Sequence, residues 1–292
     1  MLVVCPNLAI DRTLTISALR RGETQRAGEA SAVAGGKGAN AARVARALGG
    51  DPLLVGFAGG AAGKVLRARL AAGGIRAELV AVEGETRFTI ALVEPDGTTT
   101  LVNEPGPEVT REDCDRLLET AAAAARADEP ALLTGSLPPG VPETLYADLR
   151  SALGDRIVVV DAGGAALAAS LAAEPFLVKP NLEEARRWGT DAVSASAALV
   201  AAGASHALVT TAEEAVLDGS LRLRAPAVAA VNPTGSGDAL AGALLVALEA
   251  RRSLEAAVRL GLAAAAANAA QPVAGLVDPA RVRELEARVA AV

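Results

Sequence analysis

The sequence predicts an α/β architecture: a mostly parallel central sheet with helices on both faces and a small antiparallel β lid. Three observations carry that expectation. Short aliphatic runs alternate with segments whose apolar residues fall at helical spacing, the pattern of strand–helix–strand crossovers. One stretch, Arg87–Val93, alternates with period two and is followed by the turn signal Asp96-Gly97. Hydrophobic residues make up 51% of the 292 residues and aromatics only 2%, so a large core must be built from Ala, Val and Leu.

Taken in order, Leu2–Cys5 reads as a buried strand, and Arg12–Ser31 as polar but strand-like. Ala41, Val44, Ala45 and Leu48 mark a helix that ends at Gly49. Arg87–Val93 and Thr98–Val102 form a hairpin which, with the 11–32 segment, makes the lid; its bounds are about 11–32 and 86–104 of one 1–292 domain. Ala121–Ala125 is helix filler. Ala131–Thr134, Ile157–Val160, Leu177–Lys179 and Ala207–Thr210 read as further buried strands. Pro180 stops the third of these, and Asn181 with Glu184 forms a capping box for a helix. After Asp238 the set Ala241, Leu244, Leu245 and Leu248 marks another helix, with Arg251 and Arg252 suited to its C-terminus. Gly261–Ala270 is Ala-rich, contains Asn268, and reads as a buried helix. Ligands in such folds sit at the carboxyl ends of the strands.

Composition removes whole classes of function. A net charge of −6 argues against nucleic acid or an anionic membrane as partner, and an anionic substrate would need a local cluster of cations. Cys5 and Cys114 are the only cysteines and His206 the only histidine, too few for a disulfide scaffold or a Cys/His zinc site. The opening run Met1–Cys5 is too short for a signal segment and soon meets Asp11 and Arg12, so a cytoplasmic protein is expected. His206, Trp188 and Tyr146 read as structural residues and Cys5 as a buried, inert thiol.

Five clusters carry chemistry. In Asn232–Ala239, glycines 235 and 237 precede Asp238 where an apolar helix begins. Such a loop turns N–H groups toward a phosphate, and its carboxylate can take a proton from an attacking hydroxyl. Gly35–Asn40 brings Lys37 and Asn40 to a small-residue loop, although it is not a P-loop. Thr134–Gly140 follows a strand and places Ser136 at the ligand edge. Lys179–Glu184 offers Asn181 and Glu184 to order metal-bound water. Glu85-Thr86-Arg87 puts a guanidinium at the lid hinge, where it can clamp a phosphate.

In this order, with Pro6–Thr13 and Asn103–Pro107 added, these clusters resemble the PfkB carbohydrate kinases of the ribokinase-like superfamily, in their hexose-phosphate branch. The resemblance spans nearly the whole chain. It implies an ATP- and Mg²⁺-dependent kinase with a β lid shared across a homodimer. Asp238 is then the catalytic base, and the amides of Gly235, Ser236, Gly237 and Asp238 form the anion hole. Asp11, Gly36 and Asn40 hold sugar hydroxyls. Arg87, with Arg26 and Lys37, holds the phosphate already on the sugar, near Ser136. Lys179, Asn181, Glu184 and Thr210 face ATP, and Asn181 and Glu184 reach Mg²⁺ through water. Fructose 1-phosphate is the first acceptor to consider, with tagatose 6-phosphate and fructose 6-phosphate as alternatives. A kinase of an unphosphorylated sugar or nucleoside, or an inactive sugar-phosphate binder, stands further off. The chain departs from the family at Thr210–Ala215, where Ala212 and Ala215 replace the glycines of a nucleotide-side turn. A monovalent cation beside Asn232–Thr234 is compatible with the resemblance but has no distinctive residue to support it.

Overall fold

Strand–helix alternation persists along residues 1–292, all of which are described by the computed structural model. The first part contains β1 (Leu2–Val4), β2 (Ala9–Thr15), β3 (Ala30–Gly35), α1 (Lys37–Ala47), β4 (Leu53–Gly59), α2 (Gly60–Ala72) and β5 (Arg76–Val82). There follow β6 (Arg87–Val93), β7 (Thr99–Asn103), α3 (Arg111–Ala124), β8 (Ala131–Thr134), α4 (Leu145–Ala152), β9 (Val158–Asp161), α5 (Gly164–Ser170) and β10 (Leu177–Val178). The remainder is α6 (Ala192–Ala201), β11 (His206–Thr210), β12 (Glu214–Leu217), β13 (Leu221–Arg224), α7 (Ser236–Glu249), α8 (Leu254–Ala269), α9 (Pro279–Glu286) and β14 (Ala290–Ala291).

The main sheet runs β14-β13-β12-β11-β10-β9-β8-β1-β4-β5. It is parallel from β11 to β5, and β12, β13 and β14 extend one edge in antiparallel fashion. The chain leaves β1 toward β4 and β5 and later returns on the other side through β8. That reversal opens a crevice above the carboxyl ends of β1 and β8. One aliphatic core lies beneath α1, α7, α8 and α9, and a second beneath α3, α4 and α6. The α1–α7 crossing is close because no side chain at Gly242 separates α7 from the Ala41 carbonyl, which a Cβ there would approach to 2.3 Å. No helix is long and apolar enough to cross a membrane.

A second sheet, β3-β2-β6-β7, stands off the first. It consists of two antiparallel pairs joined along a parallel β2–β6 seam. Both β2 and β6 follow strands of the main sheet and leave it from the same edge, so they meet running in one direction. The strand-like stretch 12–31 resolves into the end of β2 and the start of β3 with a connection, residues 16–29, between them.

Other departures have local causes. The Asn181–Glu184 capping box forms in both directions, at 3.0 and 2.8 Å, but only turns follow it. Few residues separate it from Asp191, which caps α6, and so short a segment does not propagate a helix. Strand β4, absent from the sequence-based expectation, is buried along most of its length despite two internal or terminal glycines.

Candidate active site

The loops at the crevice deliver their side chains to one place. Gly235 adopts the left-handed conformation at φ 80°, which suits glycine, and caps α7. The Ser236 amide donates to the Pro233 carbonyl at 3.2 Å, whereas those of Gly235, Gly237 and Asp238 donate to no acceptor within the chain. Three open N–H groups at a helix N-terminus make an anion-binding surface.

Asp238 stands in the first turn of α7 and is 8% exposed. Its Oδ2 accepts a hydrogen bond from Asn40 Nδ2 at 2.9 Å. Burial pushes its pKa up to about 7; nearby Asp161 adds to the rise, while Lys37, Asn40 and Lys179 oppose it. A carboxyl poised near neutrality beside open amides can accept a proton while the amides take up negative charge.

On the β2 side, Asp11 occupies the space a side chain at Gly35 would need; a Cβ there would fall 2.0 Å from the carboxyl carbon. Burial raises the Asp11 pKa, against the pull of Thr89 and the Gly36 amide. Its Oδ1 is buried without a hydrogen-bond partner, as is Asn7 Oδ1. Asn7 Nδ2 donates to Pro105 O at 2.9 Å and Ser136 Oγ at 3.1 Å, tying the loops after β1 and β8 together. Arg87 donates to the carbonyls of Asn7 and Glu104 at 3.2 and 3.3 Å. Together with Ser136 and Pro138 it lines an open cavity of about 610 Å³.

Lys37 does not join Arg87. Its Nζ lies 3.1 Å from Glu184 Oε1 and 3.6 Å from Asp161 Oδ1, and these carboxylates raise its pKa. This places Lys37 apart from Arg87: α1 begins at Lys37 and sends the side chain toward the ends of β9 and β10. Lys179, only 3% exposed, pairs with the same Asp161 oxygen at 3.3 Å. Asp161 was not anticipated. Its signal was present, since a carboxylate ends the aliphatic run of β9 just before Gly163-Gly164, at the edge where ligands bind.

Arg26 is also displaced from the expected group. It is exposed in the connection beyond the end of the β2–β3 ladder. Asp11 and Thr15 lie four residue steps apart along β2, roughly 13 Å at strand rise. Within one chain it therefore stands apart from Arg87.

Beside the α7 N-terminus lies a cleft of about 620 Å³ whose lining combines Thr210, Ser236 and Gly237 with the apolar Val228, Leu262 and Ala266. A mostly apolar lining with a few polar groups suits a flat ring carrying a charged tail. The alanine-substituted turn at its rim closes without a left-handed residue at Ala212 or Ala215. Thr211 replaces the missing glycine freedom: its hydroxyl accepts from the amides of Glu213 and Glu214 at 3.3 and 3.1 Å. Ala215 lies in β12 and is buried in the core.

Two positioning residues escaped sequence reading. Arg43 donates to Asn40 Oδ1 at 3.0 Å and to Ala274 O at 2.9 Å, and also reaches the Ala34 carbonyl. Asn268 is fully buried and bonds Thr234 O, Ser236 Oγ and the Gly275 amide. Other residues are structural: His206 Nδ1 meets Asp218 at 2.8 Å, and Trp188 carries the Arg187 guanidinium at 5.0 Å. Tyr146 is buried with its hydroxyl on Gly135 O. Burial pushes the Cys5 thiol up to about 11, which leaves it unreactive.

Known proteins share both sequence and shape with this chain. The model of the pfkB family carbohydrate kinases matches residues 2–281. A 1-phosphofructokinase of Haloferax volcanii is 37% identical over 276 residues, covering 90% of this chain and 88% of its own length. A 1-phosphofructokinase of Escherichia coli strain K12 is 31% identical over 284 residues, covering 93% and 91%. Among solved structures, phosphofructokinase-2 from Escherichia coli in complex with potassium superposes with a TM-score of 0.89 at 26% identity, over 99% of this chain and 98% of that one. With a match that runs almost from end to end and takes in every loop of the crevice, the chain belongs to the pfkB family of carbohydrate kinases.

Proposed function

We propose that this chain transfers the terminal phosphoryl group of ATP to a hydroxyl of a hexose phosphate, with fructose 1-phosphate as the acceptor and fructose 1,6-bisphosphate as the product. The observation that carries this reading is Asp238, a carboxyl with a pKa near 7 in the same helical turn as unoccupied backbone amides. The choice of acceptor is supported by relatives described as 1-phosphofructokinases.

Asp11 and Asn7 each present a buried oxygen without a partner, and sugar hydroxyls would satisfy them. Arg87 and Ser136, on the open side of that group, receive the phosphate already on the sugar. Asn40 holds the Asp238 carboxylate by its Oδ2. As the acceptor hydroxyl attacks, Asp238 takes its proton, and the amides of Gly235, Gly237 and Asp238 receive the charge gathering on the migrating group. Adenine enters against the apolar lining of the 620 Å³ cleft, with the phosphates directed past Thr210 toward Lys179 and Lys37. The oxygen-rich set of Asp161, Glu184 and Asn181 suits Mg²⁺ held through water, which neutralises phosphate charge when bound. Glu184 already uses both oxygens, one on Lys37 and one on the Asn181 amide, so it acts through water rather than as a direct ligand.

The small sheet acts as a lid and as a dimer surface. Leu101 and Val102 on β7 are 44% and 52% exposed, more apolar surface than an isolated edge strand ordinarily carries. A second copy covering this sheet gives Arg26 a route to a phosphate it does not reach within its own chain.

ADP release measured over fructose 1-phosphate, fructose 6-phosphate and tagatose 6-phosphate with Mg-ATP tests the reading. Turnover fastest with fructose 1-phosphate is expected. Preference for another hexose phosphate replaces the acceptor, and silence with all three rejects the activity.

A further inference from the structure

Asn40 holds the Asp238 carboxylate, but an asparagine amide has two sides of opposite hydrogen-bonding character and does not choose between them by itself. Turned one way, its NH₂ group donates to Asp238. Turned the other, its oxygen meets a carboxylate oxygen and is repelled. The choice is made one helical turn further along α1. Arg43 Nη1 lies 3.0 Å from Asn40 Oδ1, and a guanidinium has donors only. The oxygen is therefore held on Arg43, and the Nδ2 on the other side lies 2.9 Å from Asp238 Oδ2.

The surroundings are built to hold that guanidinium. Nη1 also donates to Ala274 O at 2.9 Å, and Nη2 reaches Ala34 O on lid strand β3. A Cβ at Gly275 would fall 2.6 Å from Nη1, so the glycine there, at φ 75°, leaves the room that Arg43 occupies. With three acceptors of its own chain to serve, Arg43 is placed to orient a neighbour and not to bind a substrate phosphate. The charged and titratable groups that face Asp238 are Lys37 and Arg43 on α1, Asp161 at the end of β9, Lys179 after β10 and the Cys5 thiol after β1. Of these, Arg43 alone hydrogen-bonds the Asn40 side chain.

We propose that Arg43 is a positioning residue for the base, fixing the Asn40 amide in the orientation that gives the Asp238 carboxylate an N–H donor. This deepens the kinase reading and rests on it for rates, but not for the titration of the carboxyl. A donor on a carboxylate favours the charged form. Without Arg43 the amide can turn, and its oxygen then suits a protonated Asp238, so the carboxyl keeps its proton to higher pH.

The test titrates Asp238 by NMR of aspartate labelled with ¹³C at Cγ, the resonance being assigned by its loss in Asp238→Asn. Wild-type Asp238 should titrate at about 7, and the side-chain NH₂ of Asn40 should shift through the same midpoint. Arg43→Met keeps the length of the side chain and removes every donor. It should raise the midpoint by about one pH unit, lower kcat/KM about fivefold at pH 7, and return it to within about twofold of wild type at pH 9. A rate lost through damaged packing would not recover with pH. Arg43→Gln, whose amide offers Asn40 either a donor or an acceptor, should move the midpoint the same way but less far. Arg43→Lys keeps a donor-only cation and should stay within about 0.3 pH units of wild type. With Asn40→Ala in the same chain no amide remains to be oriented, and Arg43→Met should then shift the midpoint less than about half as far.

A midpoint that neither Arg43→Met nor Arg43→Gln moves overturns the proposal. So does an equal shift in the Asn40→Ala background, which would make Arg43 a charge acting at a distance. A wild-type Asn40 NH₂ that ignores the Asp238 midpoint overturns it as well. Where Arg43→Met does not fold, the Arg43→Gln and wild-type titrations decide. If no sugar phosphate is turned over, the kinase reading falls, and the carboxyl resonance still settles the role of Arg43.

Discussion

Asp238→Asn removes a charge that the fold holds in an unfavourable place, and its effects on stability and on rate should have opposite signs. Burial moves the carboxyl from an ordinary 3.8 to about 7. At about 1.4 kcal/mol per pH unit, keeping it ionised above neutrality costs the native state about 4 kcal/mol. Because the folded pKa is raised, the native protein retains a proton that the unfolded chain has lost between pH 4 and 7, and wild-type stability falls across that window. Asparagine still accepts the bond from Asn40, but it turns an NH₂ group toward a site shared with Lys37 and Lys179. That offsets about 1–2 kcal/mol. The variant should therefore lie about 1–2 kcal/mol below the wild type near pH 4 and exceed it by about 2–3 kcal/mol at pH 8, the curves crossing within the window and the gap flat above it. Urea titrations at several pH values read this directly. Meanwhile kcat should fall by about 10²–10⁴, the usual contribution of a general base. Parallel stability curves at all pH values would show that the carboxyl carries no burial penalty, and near-normal kcat would show that it is not the base.

The same carboxyl sets the acidic limb of the rate profile: kcat/KM should rise with pH and level off near 7, and a limb already flat at pH 5 contradicts the assignment. Arg87→Ala should raise the KM for the sugar phosphate about 10- to 100-fold, the worth of a charged hydrogen bond, with the KM for ATP unmoved. An unchanged sugar-phosphate KM in initial-rate assays removes Arg87 from the phosphate site. Asp161→Asn strips Lys179 of its buried partner and should lower stability by about 3–5 kcal/mol in urea titrations; an unaltered midpoint means the pair is dispensable. Val102→Asp should convert the proposed dimer to monomers by light scattering; a wild type of monomer mass, or an unchanged dimer mass in the variant, removes this sheet as the interface.

Legibility in the sequence followed the range of each signal. The aliphatic runs of β8, β9 and β11, the helix after Asp238, and the glycine loops at 35–40 and 235–238 are written in a dozen residues or fewer, so they could be read in place. The box at Asn181 and Glu184 was equally local and did form, yet the helix it promised had too few residues to continue. Strand β4 was hidden because its glycines look like breakers. In the fold Gly56 presses on the Cys5 carbonyl, where a Cβ would come within 2.3 Å. The partners of Lys37, Asp161, Arg43 and Asn268 were illegible in a different way. They lie far along the chain, as with Lys37 and Glu184, and nothing in the spacing says which cation will meet which carboxylate.

That pairing explains how an acidic chain prepares a site for two anionic substrates. Lys37 and Lys179 wait on Asp161 and Glu184, so the pocket holds its cations without leaving them buried and unpaired. In the proposed reaction, a nucleotide entering the cleft would compete with those carboxylates for the lysines. Lysines turned toward phosphate would relinquish part of the attraction that restrains the Asp238 pKa, and the incoming negative charge would raise that pKa further. The carboxylate would then be a stronger base when both substrates are present. In the empty enzyme, the nearby lysines keep it a weaker one.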